Sequence, residues 1–234
     1  MKIKTTSPSS SKTSKTSSER WHATKKLLVD VDNLSVDFGG QPAVHKASLC
    51  MHRGEFIGLI GPNGAGKTTL LKAVLGLSQP SRGHVHLHAA KVAYVPQTGR
   101  LYNGIVPISV LEVARMGAAN RQQAMEALAQ VGMEDFALKR FNELSGGQQQ
   151  RAVIAKALAE RADLLILDEP ATGVDDQTQK EFYKLLQSLL AEGITVVMVS
   201  HEVEAVLKLV TRVVFLNQTI LYDGRRLNST PKNI

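Results

Sequence analysis

A single cysteine, Cys50, is all the chain contains. That excludes an intrachain disulfide and any cysteine cluster around a metal, and it fits a protein kept in a reducing compartment. The alternating stretch 47–51 around it predicts a strand holding an inert, packed thiol. Long apolar runs are also missing, since none approaches the ~18–20 residues that a membrane span needs. No apolar segment follows the early lysines, which argues against a secretory leader. A basic surface is scarce too, despite the formal net charge of +7. Residues 1–26 hold Lys2, Lys4, Lys12, Lys15, Arg20, Lys25 and Lys26 against Glu19 alone, a net of +6. The rest of the chain is nearly neutral, so no footprint for nucleic acid exists there. The tail 1–26, rich in Ser, Thr and Lys, is expected to remain disordered, and 27–234 to form one domain.

Against these absences stands Gly61-Pro62-Asn63-Gly64-Ala65-Gly66-Lys67-Thr68, of the form G-x-x-x-x-G-K-T. It follows the apolar run 56–60 and precedes a helical pattern from Thr69 to Leu77. A Gly-rich loop between strand and helix can wrap its N–H groups around a polyphosphate, with the helix dipole behind it. Lys67 is expected to reach the β/γ-phosphates and the Thr68 hydroxyl to ligate Mg²⁺. The reading is a nucleotide-binding P-loop, with Thr69 continuing the cradle.

Two further patterns bear on chemistry. Leu164-Leu165-Ile166-Leu167-Asp168-Glu169 reads as a fully buried parallel strand ending in two acids, and ligands of open α/β sheets sit at strand carboxyl ends. Asp168 is expected to hold Mg²⁺ opposite Thr68, and Glu169 to polarise an attacking water. Leu144-Ser145-Gly146-Gly147-Gln148 precedes a helix predicted over 148–160 and makes a second anion-binding helix N-terminus. Strands predicted near 28–31, 34–38, 47–51, 55–60, 84–88, 91–95, 164–168 and 194–200 alternate, in the second half, with helices over 148–160 and 177–192. A helix-rich insertion spans about 98–148, and a hairpin closes the chain over 213–222. The fold class is α/β: a mostly parallel sheet, an N-terminal antiparallel β subdomain and an inserted α-helical subdomain.

Together these residues resemble the ATP-binding cassette (ABC) ATPases over about 27–225. Leu144–Gln148 is similar to the family's signature sequence, Asp168-Glu169-Pro170 to the end of its Walker B motif, Gln97 to the Q-loop glutamine, Gly173-Val174-Asp175 to the D-loop and His201 to the switch histidine. Phe38 stands where the family has an adenine-stacking aromatic, usually Tyr, and Ala171 stands where Thr is commoner. The resemblance implies ATP and Mg²⁺ as cofactors, with Phe38, the P-loop, Ser145, Gly146, Gly147, Gln148 and Asp175 as ATP contacts and Thr68, Gln97 and Asp168 around Mg²⁺. It implies Glu169, His201, Gln97 and Lys67 as catalytic. It also implies a homodimer of ATPase subunits paired head to tail around two ATP molecules, carried by transmembrane permease subunits and served indirectly by a solute-binding protein, on the cytoplasmic face of the plasma membrane.

The segment 101–110 with Pro107, Glu112–Gly117, the Gly173-Val174-Asp175 D-loop and the closing Phe215-Leu216-Asn217 resemble ATPases of zinc and manganese importers. Two alternatives stay open: an iron-chelate or cobalamin type of importer, and a non-transport ABC ATPase such as an iron–sulfur assembly factor. His84, His86 and His88 share one face of a predicted strand. Imidazoles at i, i+2 can chelate zinc, but no carboxylate or cysteine lies beside them in sequence, so a solvated face is the plainer expectation.

Overall fold

Alternate residues along three buried strands separate the interior into two cores. The computed structural model describes residues 25–96, 108–170, 175–200 and 203–225. In β3 (Phe56–Ile60), β6 (Leu164–Asp168) and β7 (Thr195–Val199) every residue is buried. Phe56, Ile60, Leu165, Leu167, Val196 and Met198 point to one side; Ile57, Leu59, Leu164, Ile166, Val197 and Val199 point to the other. A strand covered on both faces must be apolar along nearly all its length, which is why these runs lack polar alternation.

These strands belong to a six-stranded sheet that also contains β5 (Val92–Val95), β8 (Arg212–Asn217) and β9 (Thr219–Arg225), in the order β5-β6-β7-β3-β8-β9. All neighbours pair in parallel except β8 and β9. One face carries helices: α2 (Val110–Arg115), α3 (Arg121–Gln130), α4 (Gly146–Ala159) and α5 (Asp176–Ala191) contribute to the first core. Ser109 and Asn120 start α2 and α3 by accepting the N–H of Glu112 and Gln123, satisfying donors that a helix leaves unpaired. Helix α6 (Val203–Leu209) follows β7.

The other face is covered by α1 (Lys67–Val74) and a separate antiparallel sheet of β1 (Leu27–Phe38), β2 (Gln41–His52) and β4 (Arg82–Leu87), in the order β2-β1-β4. The two strands expected at 28–31 and 34–38 are one continuous β1 with register shifts after Val31 and Leu34. Asn33 takes φ 48 there, a left-handed conformation that Asn tolerates, so a polar break in the pattern is a bulge and not a turn. β2 likewise begins at Gln41, earlier than its apolar alternation suggests, because it pairs with β1 as far as Phe38.

A buried ion network joins the two sheets. Arg212 is 4% exposed. Its Nε and Nη2 donate to the two Asp223 carboxylate oxygens at 2.6 Å each, and its Nη1 donates to Cys50 O at 2.6 Å and Glu55 Oε2 at 3.2 Å. Cys50 itself is half-buried, and burial followed by its hydrogen bond to Asp30 pushes its pKa up to about 11, so the thiol stays protonated. Removing the guanidinium while leaving Glu55 fully buried deprives a carboxylate of its counter-charge. Arg212→Met is expected to destabilise the chain by about 3–5 kcal/mol, read as a lower urea midpoint; an unchanged midpoint would show that the network is not structural.

Candidate functional site

Parallel register sets the site. Leu59 pairs with Val199 and Val199 with Asp168, so the carboxyl ends of β3, β7 and β6 lie level along one edge of the sheet. The chain leaves β3 at Ile60, passes through the loop 61–66 and enters α1, which brings Thr68 back across that edge to β6. Thr68 Oγ1 lies 3.0 Å from Asp168 Oδ2 and 3.3 Å from Oδ1. These are hard oxygen donors, and neighbouring ligands of an octahedral Mg²⁺ at 2.0–2.1 Å stand about 2.9 Å apart. The Thr68–Asp168 pair therefore fits Mg²⁺.

The loop is held by main-chain contacts that leave no room for side chains. A Cβ at Gly61 would overlap the Leu216 carbonyl oxygen, and one at Gly66 the Ala43 carbonyl oxygen. Gly66 also adopts φ 91 as the N-cap of α1 and supplies no side-chain cap. The first N–H groups of α1 thus lack an internal side-chain acceptor and suit an anion. Pro62, Asn63 and Gly64 are exposed, Ala65 is buried and Thr69 half-buried. Lys67 Nζ donates to Gly61 O at 2.8 Å and Pro62 O at 2.9 Å, which curls the ammonium back over the loop. Burial lowers the Lys67 pKa, while the charges of Glu169 and then Asp168 act to raise it. The ammonium and both acids therefore share one electrostatic neighbourhood.

Glu169 leaves β6 with φ 48, uncommon for a residue with a Cβ and costly by about 1–3 kcal/mol. Its N–H donates to Val199 O at 3.1 Å, which ties the start of the acidic turn to the end of β7. A residue that pattern reading missed completes this corner. Tyr94, on β5, donates its hydroxyl to Asp168 Oδ2 at 3.1 Å. Burial, then the Asp168 charge, pushes its pKa up to about 12, so the phenol remains a donor. In sequence it showed only as part of the strand expected near 91–95; strand pairing puts it level with Ile166 on the neighbouring strand.

Other expected residues lie apart. Phe38 ends β1 and is 58% exposed; it pairs with Gln41, three residues before β2 reaches Val44 beside the loop. Ser145 is the N-cap of α4: its hydroxyl accepts from Gln148 N at 3.3 Å, and Gln148 Oε1 accepts from Ser145 N at 3.1 Å. Gly146 is exposed with open space around it. Ser145, Gly147 and Gln148 line a cleft of about 190 Å³ with Met133, Arg151 and Thr178, and no P-loop residue borders it. Asp175 caps α5 by accepting from the N–H of Gln177 and Thr178. The Thr178 hydroxyl, 2.6 Å away, is the main reason its carboxyl sits below the usual range. Gln97, His201, Gly173 and Val174 lie outside the described residues.

Fold and site define a P-loop nucleotide-binding protein of the α/β class. A family model described as ABC transporter matches residues 44–172. The chain is 36% identical to the zinc uptake system ATP-binding protein ZurA of Listeria monocytogenes over 221 residues, covering 85% of this chain and 86% of that one. It is also 36% identical to the manganese transport system ATP-binding protein MntA of Synechocystis, over 86% and 85% of the two chains. Among solved structures, the dimeric structure of MJ0796, a bacterial ABC transporter cassette, superposes with a TM-score of 0.73 at 27% identity, over 86% of this chain and 100% of that one. The chain belongs to the ABC transporter family, as its motifs led one to expect, and it is an ATPase of the cassette type. Among the described residues no helix is long and apolar enough to cross a membrane.

Tyr94→Phe removes one hydrogen bond and leaves the ring in place. It is expected to lower ATP turnover on the order of tenfold and to raise the Mg²⁺ concentration giving half-maximal rate, with nucleotide affinity unchanged. A phosphate-release assay across a Mg²⁺ titration checks this; equal rates and equal Mg²⁺ dependence would remove Tyr94 from the site.

Proposed function

We propose that the chain is the ATP-hydrolysing subunit of a membrane importer for a divalent metal ion, zinc or manganese. Similarity to zinc and manganese ATP-binding subunits over more than four-fifths of both chains is the observation that carries the cargo half of this reading. The ATPase half draws support from the cluster of loop, ammonium and two acids at one sheet edge. There the N–H groups of 64–69 bind the polyphosphate of ATP, Lys67 offsets its charge, and Phe38 offers an exposed ring for the base. Thr68 and Asp168, with Gln97, would hold Mg²⁺, which neutralises phosphate charge when bound. Glu169 accepts a proton from the attacking water, and His201 contacts the terminal phosphate.

Ser145, Gly146, Gly147 and Gln148 enter through a second copy of the chain. They border their own cleft in this subunit, so a head-to-tail dimer is the arrangement in which they face a P-loop, with ATP at the interface. Asp175 stands beside the same junction. ATP binding then closes the dimer and hydrolysis lets it open. That motion is passed to transmembrane permease subunits at the cytoplasmic face of the plasma membrane, with a solute-binding protein delivering the metal outside.

Glu169→Gln keeps shape and hydrogen bonding but removes the base. It is expected to cut ATP turnover at least a hundredfold while trapping an ATP-dependent dimer on gel filtration; a monomer that still hydrolyses ATP would sink the proposal. Elemental analysis of metal-limited cells carrying this variant separates the cargoes, with selective loss of zinc or of manganese naming the ion. Unchanged levels of both would reassign the cargo.

A further inference from the structure

The antiparallel sheet carries a cluster that ATP chemistry does not use. β4 is an edge strand, and His84 and His86 both lie on its exposed face, with Val85 turned inward against the second core. Their ring centroids are 5.9 Å apart; His88, past the strand end, is 6.4 Å from His86. The sheet supplies what the local sequence lacks. Asp32 pairs with His84 and Asp30 with His86 across the β1–β4 ladder, and directly opposed residues project to the same side, their Cβ atoms about 4.5–5.5 Å apart. Each carboxylate is itself oriented by a neighbour. Cys50 Sγ donates to Asp30 Oδ1 at 3.3 Å, and Asn33 Nδ2 donates to Asp32 Oδ1 at 3.0 Å.

The geometry points to a surface site for a zinc-class divalent transition metal, chelated by His84 and His86 and completed by Asp32 and water. Two imidazoles bound to one tetrahedral ion at 2.0–2.1 Å place their centroids about 5.2 Å apart, close to the spacing of the His84–His86 pair. His88 lies past the strand end, with the wider spacing of 6.4 Å from His86, and is left outside the chelate. Among the described residues no three His, Cys, Asp or Glu side chains already converge on a point. The ligands therefore gather by rotation of exposed side chains, each of which loses rotamer freedom on binding. That ordering cost makes the site weaker than a closed structural zinc centre. Two imidazoles with one carboxylate favour zinc, nickel or copper over magnesium or calcium.

The site is independent of the nucleotide reading, and its test omits nucleotide. The untagged full-length chain is titrated calorimetrically with zinc sulfate at pH 7.5. One zinc per chain at micromolar affinity is expected, weakened at least tenfold in the His84→Ala/His86→Ala double variant and severalfold in Asp32→Asn. His45→Ala, which alters an exposed imidazole elsewhere on β2, should leave the affinity unchanged. Thermal melts of each variant confirm that the fold is retained. Zinc heat that persists in the double variant, or no zinc heat in the unaltered chain, overturns the proposal.

Discussion

Parallel pairing of β3 and β6 through β7 is the constraint on which the site depends. β7 lies between them, so the loop after β3 and the acids after β6 start two strands apart, about 10 Å. No side chain on either strand end spans that gap alone. The 61–66 loop and the first turn of α1 do so by folding over β7, which brings Thr68 within hydrogen-bonding distance of Asp168. A one-residue slip of β6 against β7 would turn Asp168 to the opposite face and exchange the two cores. The buried, largely apolar strands resist that slip because each of their apolar side chains has a place in one core or the other.

The loop does not hold its shape unaided. Leu216 O and Ala43 O press on it at Gly61 and Gly66, Gln218 N donates to Ala65 O at 2.9 Å, and His45 N donates to Gln218 O at 2.7 Å. The β8–β9 turn, the start of β2 and the P-loop are thus one hydrogen-bonded unit. This gives the antiparallel sheet a purpose beyond covering a hydrophobic face. It presents Phe38 from the end of β1, and it braces the loop whose N–H groups must stay aligned. Preorganisation of this kind matters because donors fixed in advance need not reorganise when charge arrives.

Much of this was legible in the residues. The wholly apolar run before Asp168 announced a strand buried on both faces, and the loop glycines announced a close main-chain approach. Hidden from a linear reading were contacts made across strands. Tyr94 reaches Asp168 only because β5 and β6 are neighbours in register. Asp30 and Asp32 stand beside His86 and His84 only because β1 lies between β2 and β4. The separate strands expected at 28–31 and 34–38 are one because the pairing that carries β1 past Asn33 is set by strands far along the chain. Capping was legible as spacing: Ser145 and Gln148 stand as in a capping box, in which the Ser145 hydroxyl is already engaged by the Gln148 N–H.

That last detail distinguishes the two helix N-termini. α1 begins at a glycine with no side-chain cap, so a phosphate there supplies acceptors the helix lacks. α4 is already capped, by an arrangement worth about 1 kcal/mol, and its Ser145 hydroxyl must share or surrender the Gln148 N–H to engage a phosphate. On the proposed reading, the first cradle binds nucleotide by itself, and the second joins only when another subunit presents ATP already held. Unequal capping would then order the steps: nucleotide loads on α1 before α4 of the partner closes over it. The same inequality would make release at the α4 side the easier one, since its cap re-forms as the subunits part.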